Sequence, residues 1–454
     1  MSKLAIAGKR RRRIHRSSVM RFLSTRGQSQ PAGLQQALES GLAPDGGLYV
    51  PEVLPQFSPN DFAGCASPAA VAHRLLTPFF EQAPIAAKLD EIARLTFAFP
   101  LPLEPLGRQD KTQVLELYHG PTAAFKDVGA RFLAACLQKL PHEDVGPRTI
   151  LVATSGDTGG AVAAAFHGKP GFRVLVLFPH GRVSRRQLKQ LACWGGNVRA
   201  VAVAGSFDDC QGLVKEAFAQ SVTEPAWRLG SANSINIGRL LPQCAYYAYA
   251  SLQTWRASGE AAGFVVPTGN LGNALACIMA RAMGLPIGPV ILATNANRTI
   301  GDYLEKGSYE PRPALATLAT AMDVGDPSNM ERFRYLEKSG AMEAGSVKVF
   351  SADDDAIARQ IAEDFREHGR IHCPHTATAT CAWQNLPRST RRERPWILVA
   401  TAHAAKFEST VEPLIGKSIE LPPTLAELEN RKPQYSMIKH EFSALREILL
   451  TEDL

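Results

Sequence analysis

A single lysine, Lys126, stands just past the turn His119-Gly120-Pro121-Thr122 and just ahead of apolar positions Phe132, Leu133, Cys136 and Leu140, with Gly129 on the same face. Glycine and proline set the turn, and the apolar spacing is that of a helix. A lysine at the mouth of such a helix is either an ordinary solvated side chain or an amine desolvated towards the neutral form that attacks a carbonyl carbon. Which of the two holds depends on the groups gathered around it.

Residues 153–160, Ala-Thr-Ser-Gly-Asp-Thr-Gly-Gly, lie between an apolar run and a helical one. In that setting unpartnered N–H groups and the helix dipole attract anions, and glycine lets backbone approach a ligand. Ser155 and Thr158 add hydroxyls beside Gly156 and Asp157. A plain capped turn has the same look.

Residues 267–273, Pro-Thr-Gly-Asn-Leu-Gly-Asn, repeat the setting, with Gly269 and Gly272 on either side of Asn270 and Leu271, and Asn273 following. The loop lacks the Gly-Lys-Ser/Thr ending of a nucleotide P-loop, so a phosphate there is held by neutral donors, as suits a resident cofactor. A third run, 399–407, puts the Thr401 hydroxyl at the end of an apolar strand, where open parallel sheets bind ligands. His403 beside it reads as structural. Residues 231–239 collect Asn233, Ser234, Asn236 and Arg239, which suit either an anionic substrate or a capped helix start. Cys373-Pro374-His375-Thr376-Ala377 either lines the site or makes a turn, and residues 321–329 read as a surface loop.

One activated lysine, one neutral phosphate cradle, one anion loop and one strand-end hydroxyl are the requirements of pyridoxal 5'-phosphate: a covalent link to lysine, an anchored phosphate and a partner for the pyridine nitrogen. A threonine partner leaves that nitrogen largely unprotonated, which favours elimination and replacement over transamination. No spacing in the chain suggests a metal site.

The elements that must hold these groups alternate. Short apolar strands are predicted at 149–153, 173–178, 198–203, 263–267, 290–293 and 396–400, with helices at 161–166, 208–221 and 274–283. Continuous apolar strands alternating with helices imply parallel sheets covered on both faces, an α/β fold. Residues 20–103 read as a mostly helical opening region, and 294–350 as a less regular insertion.

Composition narrows the functional class. Hydrophobic residues make up 45% of the 454 and charged residues 20%, as in an ordinary globular chain. No apolar run approaches the roughly 18 residues that suggest a membrane-spanning helix. The eight cysteines never form Cys-x-x-Cys, which reads as reduced thiols of a cytoplasmic protein. The net charge of +7 resides in residues 1–19, which carry Lys3, Lys9, Arg10, Arg11, Arg12, Arg13 and Arg16 and no acid. The remaining chain is neutral, so overall charge gives no case for nucleic-acid binding. The basic extension reads as a disordered arm, a targeting peptide or, preferred here, an upstream start ahead of Met20.

Taken together, the motifs resemble the threonine synthases, of the longer type found in bacteria and fungi. The resemblance rests on residues 41–51 (Gly-Leu-Ala-Pro-Asp-Gly-Gly-Leu-Tyr-Val-Pro), on 119–127, and on the SGDTG, ANSIN, PTGNLGN, AMDV and TAHAAKF runs in family order. It implies a fold-type II, tryptophan-synthase-β-like enzyme. The implied domains are an N-terminal one at 20–103, a large cofactor domain at 104–145 and 225–420, a small α/β domain at 146–224 and a tail at 421–454. It implies Lys126 as the cofactor-bound lysine and proton shuttle, and 269–273 as the phosphate cradle. Thr401 then faces the pyridine nitrogen. Ser155, Gly156, Asp157 and Thr158 hold the substrate carboxylate, and Ser234, Asn236 and Arg239 are, with Asn233, candidates for the cofactor hydroxyl and the substrate phosphate. Two positions depart from the family pattern: Asn273 in place of aspartate, and Ala404 in place of proline. The implied reaction turns O-phospho-L-homoserine and water into L-threonine and phosphate, in a monomer or homodimer. A phospho-lyase releasing 2-oxobutyrate and a non-catalytic relative are the alternatives.

Overall fold

The computed structural model describes residues 20–107, 111–141, 146–221, 223–224, 227–342 and 345–451, so the basic extension at 1–19 lies outside the described residues. Among the described residues the strands form three sheets. The six-stranded sheet runs Val347–Ser351, Ile287–Thr294, Ala262–Pro267, Trp396–Ala400, Thr112–Glu116, Leu103–Pro105, parallel except at the last edge. The five-stranded sheet runs Tyr435–Lys439, Val198–Ala204, Phe172–Pro179, Arg148–Ala153, Leu229–Ser231 and is parallel throughout. Their central strands are buried along nearly their whole length, because helices cover both faces.

Between the sheets lies the main core. The helices Lys126–Lys139 and Ile237–Ser258 cross within it, at Gly129. A side chain there would sit 2.8 Å from both Nε and the carbonyl oxygen of Arg239, so glycine is what lets the two helices touch.

The first region pairs two short strands, Phe22–Ser24 and Tyr49–Pro51, antiparallel, and packs helices Pro68–Phe80 and Leu89–Thr96 onto that core. The predicted strands are present, and the predicted helices begin up to four residues earlier: at Asp157, Phe207 and Gly272.

Two expectations about domain limits differ from the structure. The small unit does not end at 224, because Leu229–Ser231 is its edge strand. The tail expected at 421–454 is, over its described residues 421–451, not separate: Tyr435–Lys439 forms the opposite edge of the same sheet and the helix Phe442–Leu450 packs onto its core. Nor is the stretch 294–350 irregular throughout, since it holds helices Thr299–Lys306 and Met330–Lys338 and a strand of the large sheet. Among the described residues no helix is long and apolar enough to cross a membrane.

Candidate active site

Lys126 is the first residue of its helix. The turn before it is closed by Asp127, whose carboxylate accepts from the Thr122 N–H at 2.9 Å and the Thr122 hydroxyl at 2.6 Å. A side chain at Gly120 would strike that carboxylate at 2.5 Å. The turn is then stitched to the end of the Trp396–Ala400 strand: the Leu117 N–H donates to Ala400, the Phe125 N–H to Thr401 and the His403 N–H to Ala123, at 3.0, 2.8 and 3.0 Å. Lysine and threonine, 275 positions apart in the chain, are thereby held in one register. Burial, with the cations of Lys406 and Arg239 nearby, lowers the Lys126 amine from the usual lysine value to about 8, against the opposing pull of Asp157.

Residues 268–271 carry the chain from the strand Ala262–Pro267 into the helix Gly272–Ala282. Leu271 sits at φ +61°, which turns the backbone so that the helix N-terminus faces the cavity. Gly269 lies against the Met322 backbone, whose Cα would be 2.6 Å from an added Cβ. Asn270 ties the loop to its surroundings: its amide donates to Ser234 Oγ at 2.8 Å, and its oxygen accepts from the Ser328 N–H at 2.6 Å. The side-chain oxygen of Asn273 accepts from the hydroxyls of Tyr246 and Tyr247, at 2.6 and 2.7 Å, so that oxygen is engaged while N–H groups of the residue remain for a ligand.

The 153–160 loop is built differently. Thr154 Oγ1 accepts from the N–H groups of Gly156 and Gly159, both at 2.9 Å, and Gly156 takes φ +142°. Asp157 opens the helix Asp157–Phe166 with its carboxylate 2.9 Å from the Lys406 ammonium, which also donates to the Thr122 carbonyl at 2.8 Å. Both charges are buried, Lys406 to 0% exposure and Asp157 to 4%. Burial raises the Asp157 carboxyl, but Lys406 and then Lys126 more than reverse this, holding it well below the usual carboxylate range. An ionised Asp157 repels a substrate carboxylate, so any such group is left to the backbone and hydroxyls of Ser155 and Thr158.

These elements line one cleft. It brings together Lys126, Ser155, Asp157, Thr158, Asn233, Ser234, Arg239, residues 269–273 and Thr401. Gly156 and Asn236 are not on its wall. Gly156 turns its loop, and Asn236, expected among the ligand-binding residues, caps the helix Ile237–Ser258 with every side-chain group engaged: it donates to Leu38 and Ser231 at 2.8 and 2.9 Å and accepts from Gly238 at 2.8 Å. Asn233 keeps one amide N–H after donating the other to Ala153 at 2.9 Å. Arg239 donates to the Ala232 carbonyl, and burial lowers it to about 10, still cationic at neutral pH.

The 321–329 segment is not a surface loop. Ala321, Met322 and Val324 form part of the cavity wall, held by Asp323, which accepts from Thr317 and Asn295. His375 belongs to the wall as well, whereas His403 accepts from the Ala405 N–H at 3.2 Å and lies outside it. The Lys406–Asp157 pair was not foreseen, although Lys406 falls within one of the motifs.

The residues fit pyridoxal phosphate. Thr401 Oγ1 is buried with no partner among the described residues, beside an amine near neutrality and a glycine cradle at a helix N-terminus. Fold and site together define a pyridoxal-phosphate-dependent enzyme, and residues 99–402 match the family described by that name. Residues 21–97 match the threonine synthase N terminus and 376–449 its C-terminal domain. Threonine synthase of Escherichia coli (strain K12) is 36% identical over 95% of this chain and 99% of its own, and that of Haemophilus influenzae 38% over 91% and 96%. Among solved structures, the Escherichia coli enzyme superposes with a TM-score of 0.87 at 36% identity, covering 95% of this chain and 99% of that one. The pyridoxal-phosphate-bound threonine synthase of Brucella melitensis gives 0.85 at 35%, with 95% and 98% covered. The chain belongs to the threonine synthase family. It is a carbon–oxygen lyase acting on phosphate, with pyridoxal phosphate as its cofactor.

Proposed function

We propose that this chain converts O-phospho-L-homoserine and water into L-threonine and phosphate, in the cytoplasm, as a monomer or homodimer. The observation that carries the reading is one cavity lined by a buried lysine whose pKa is lowered to about 8, by a glycine loop at a helix N-terminus and by the Arg239 guanidinium, which supports room for the two phosphates that cofactor and substrate bring.

The backbone of residues 269–273 and the N-terminus of the helix behind it hold the cofactor phosphate. Thr401 Oγ1 would partner the pyridine nitrogen and, being a neutral hydroxyl, would not force a proton onto it. Asn233 offers its remaining N–H to the ring hydroxyl. When bound, pyridoxal phosphate supplies the electron sink that makes carbanions at the substrate's Cα and Cβ accessible. Lys126 carries the cofactor at rest. With its amine free, Lys126 would be the base and acid that moves protons at the substrate's Cα and Cβ. Ser155, Thr158 and the helix N-terminus at Asp157 hold the substrate carboxylate. Arg239 and Ser234 face the γ-phosphate and favour its departure. Water then adds at Cβ.

Product analysis decides the reading. Phosphohomoserine with holoenzyme is expected to yield threonine and phosphate in equal amounts. 2-Oxobutyrate without threonine would overturn it in favour of a phospho-lyase.

A further inference from the structure

His375 is the second residue of the helix Pro374–Gln384 and is 3% exposed. Two contacts fix its ring. The Ala321 N–H donates to Nε2 at 2.9 Å, and Phe407 packs against the ring at 4.8 Å between centroids. A backbone N–H can only donate, so Nε2 presents its lone pair and the proton of the neutral ring sits on Nδ1. Burial keeps the ring neutral, lowering its pKa to about 4, with Lys126 and Lys406 adding to the effect and Asp157 opposing it.

That Nδ1–H is buried without a partner among the described residues, on the wall of the cofactor cavity. It has company there. Among the described residues, Thr268 Oγ1 and Thr401 Oγ1, of two other residues on the same wall, are also buried without partners. Native structures rarely leave a buried donor unused, and three from residues of one cavity wall form a set awaiting acceptors.

We propose that His375 is a ligand-binding residue of this site, presenting a tautomer-locked Nδ1–H to an anionic oxygen of the bound cofactor or of the substrate. The neighbouring Ala321 peptide, itself part of the wall, acts as the positioning group that fixes the tautomer. The inference rests on the cofactor assignment and not on which product is released.

Two variants separate a donor role from a structural one. Asparagine places an amide N–H near the Nδ1 position and gives up the acceptor for Ala321. Glutamine reaches the Nε2 position and gives up the donor. A ligand-binding role predicts that His375→Gln is impaired by about tenfold or more and that His375→Asn recovers most of the loss. If the acceptor oxygen is the cofactor's, the loss appears as weaker pyridoxal phosphate binding in a fluorescence titration of the apoenzyme. If it is the substrate's, cofactor affinity holds and KM for phosphohomoserine rises. The reverse order, with glutamine better than asparagine, or no loss in either variant, would overturn the proposal. Should the variants fail to fold, ¹⁵N NMR of the wild-type protein decides. A protonated Nδ1 whose shift moves on adding pyridoxal phosphate or substrate is expected. A protonated Nε2, or a signal unmoved by either ligand, refutes it.

Discussion

Two loops line the cavity, and both follow a parallel strand and open a helix. The loop at 268–271 is neutral and tied by amides: Asn270 to Ser234 and Ser328, with Asn329 donating to the Asn270 carbonyl at 3.0 Å. The loop at 153–160 carries a buried charge, and its anchor lies in the other half of the molecule, where Lys406 and Thr122 belong to the segments around the large sheet. A phosphate cradle is best kept rigid and free of competing charge. The second loop instead couples the small sheet to the lysine's own turn. Gln190 of the small unit reinforces that coupling by donating to the Thr122 carbonyl at 2.9 Å.

The largest expected effect falls on the amine that both loops surround. Lys126→Ala is expected to lower threonine formation by about 10⁴-fold or more while the protein stays folded by circular dichroism. Turnover near that of the wild type would remove the lysine from the account, and with it the reason for comparing the loops.

The charged loop breaks next. Lys406→Met leaves the buried Asp157 carboxylate without its ion-pair partner, which is expected to cost up to about 3–5 kcal/mol of stability in urea unfolding. The double variant Asp157→Asn with Lys406→Met is expected to regain most of that, because neither charge then remains buried. A single variant as stable as the wild type would show that the pair is solvated.

Much of this arrangement was legible in the sequence and some was not. Apolar runs ended by glycine announce strand, loop and helix, since periodicity and turn chemistry act over a few residues. The pairing of Asp157 with Lys406 spans 249 positions and leaves no local trace. The same holds for Met322 against Gly269, which makes an apparent surface loop into a wall. Asn236 misled because a helix cap and a ligand-binding amide look alike until their partners are known. The edge strand Tyr435–Lys439 alternates exposed and half-buried residues and has no continuous apolar run, so it escaped notice.

The neutral loop can be tested through its glycines. Gly269→Ala drives a Cβ to 2.6 Å from Met322 Cα, and is expected to cost about 1–3 kcal/mol and to weaken cofactor binding. At Gly272 the nearest atoms to an added Cβ are 3.6 Å away, so apoprotein stability is expected to change by less than about 0.5 kcal/mol. Any loss of pyridoxal phosphate affinity in Gly272→Ala then reports on the approach of the phosphate alone. Equal losses of apoprotein stability in both variants would contradict the tight contact at Gly269.

The smallest effect concerns pH, and it separates the charge of the lysine from the neutrality of the cradle. The folded-state pKa of Lys126, about 8, lies below the ordinary lysine value of 10.5. Between those values the unfolded chain binds the proton and the folded one does not, so this group makes apoprotein stability rise with pH across that window. Below about 8 both states are protonated and its contribution to the slope vanishes. Asp157 has the opposite placement: its depressed value keeps its contribution present at neutral pH, to be lost only in strong acid. Residues 269–273 carry no ionisable side chain. Capture of pyridoxal phosphate, which needs the free amine, is therefore expected to accelerate through pH 8 and then level. Binding of 4'-deoxypyridoxine phosphate, which has no aldehyde, is expected to follow only the ionisation of its own phosphate and ring. Superimposable profiles for the two compounds would mean that the cradle, and not Lys126, sets the pH dependence.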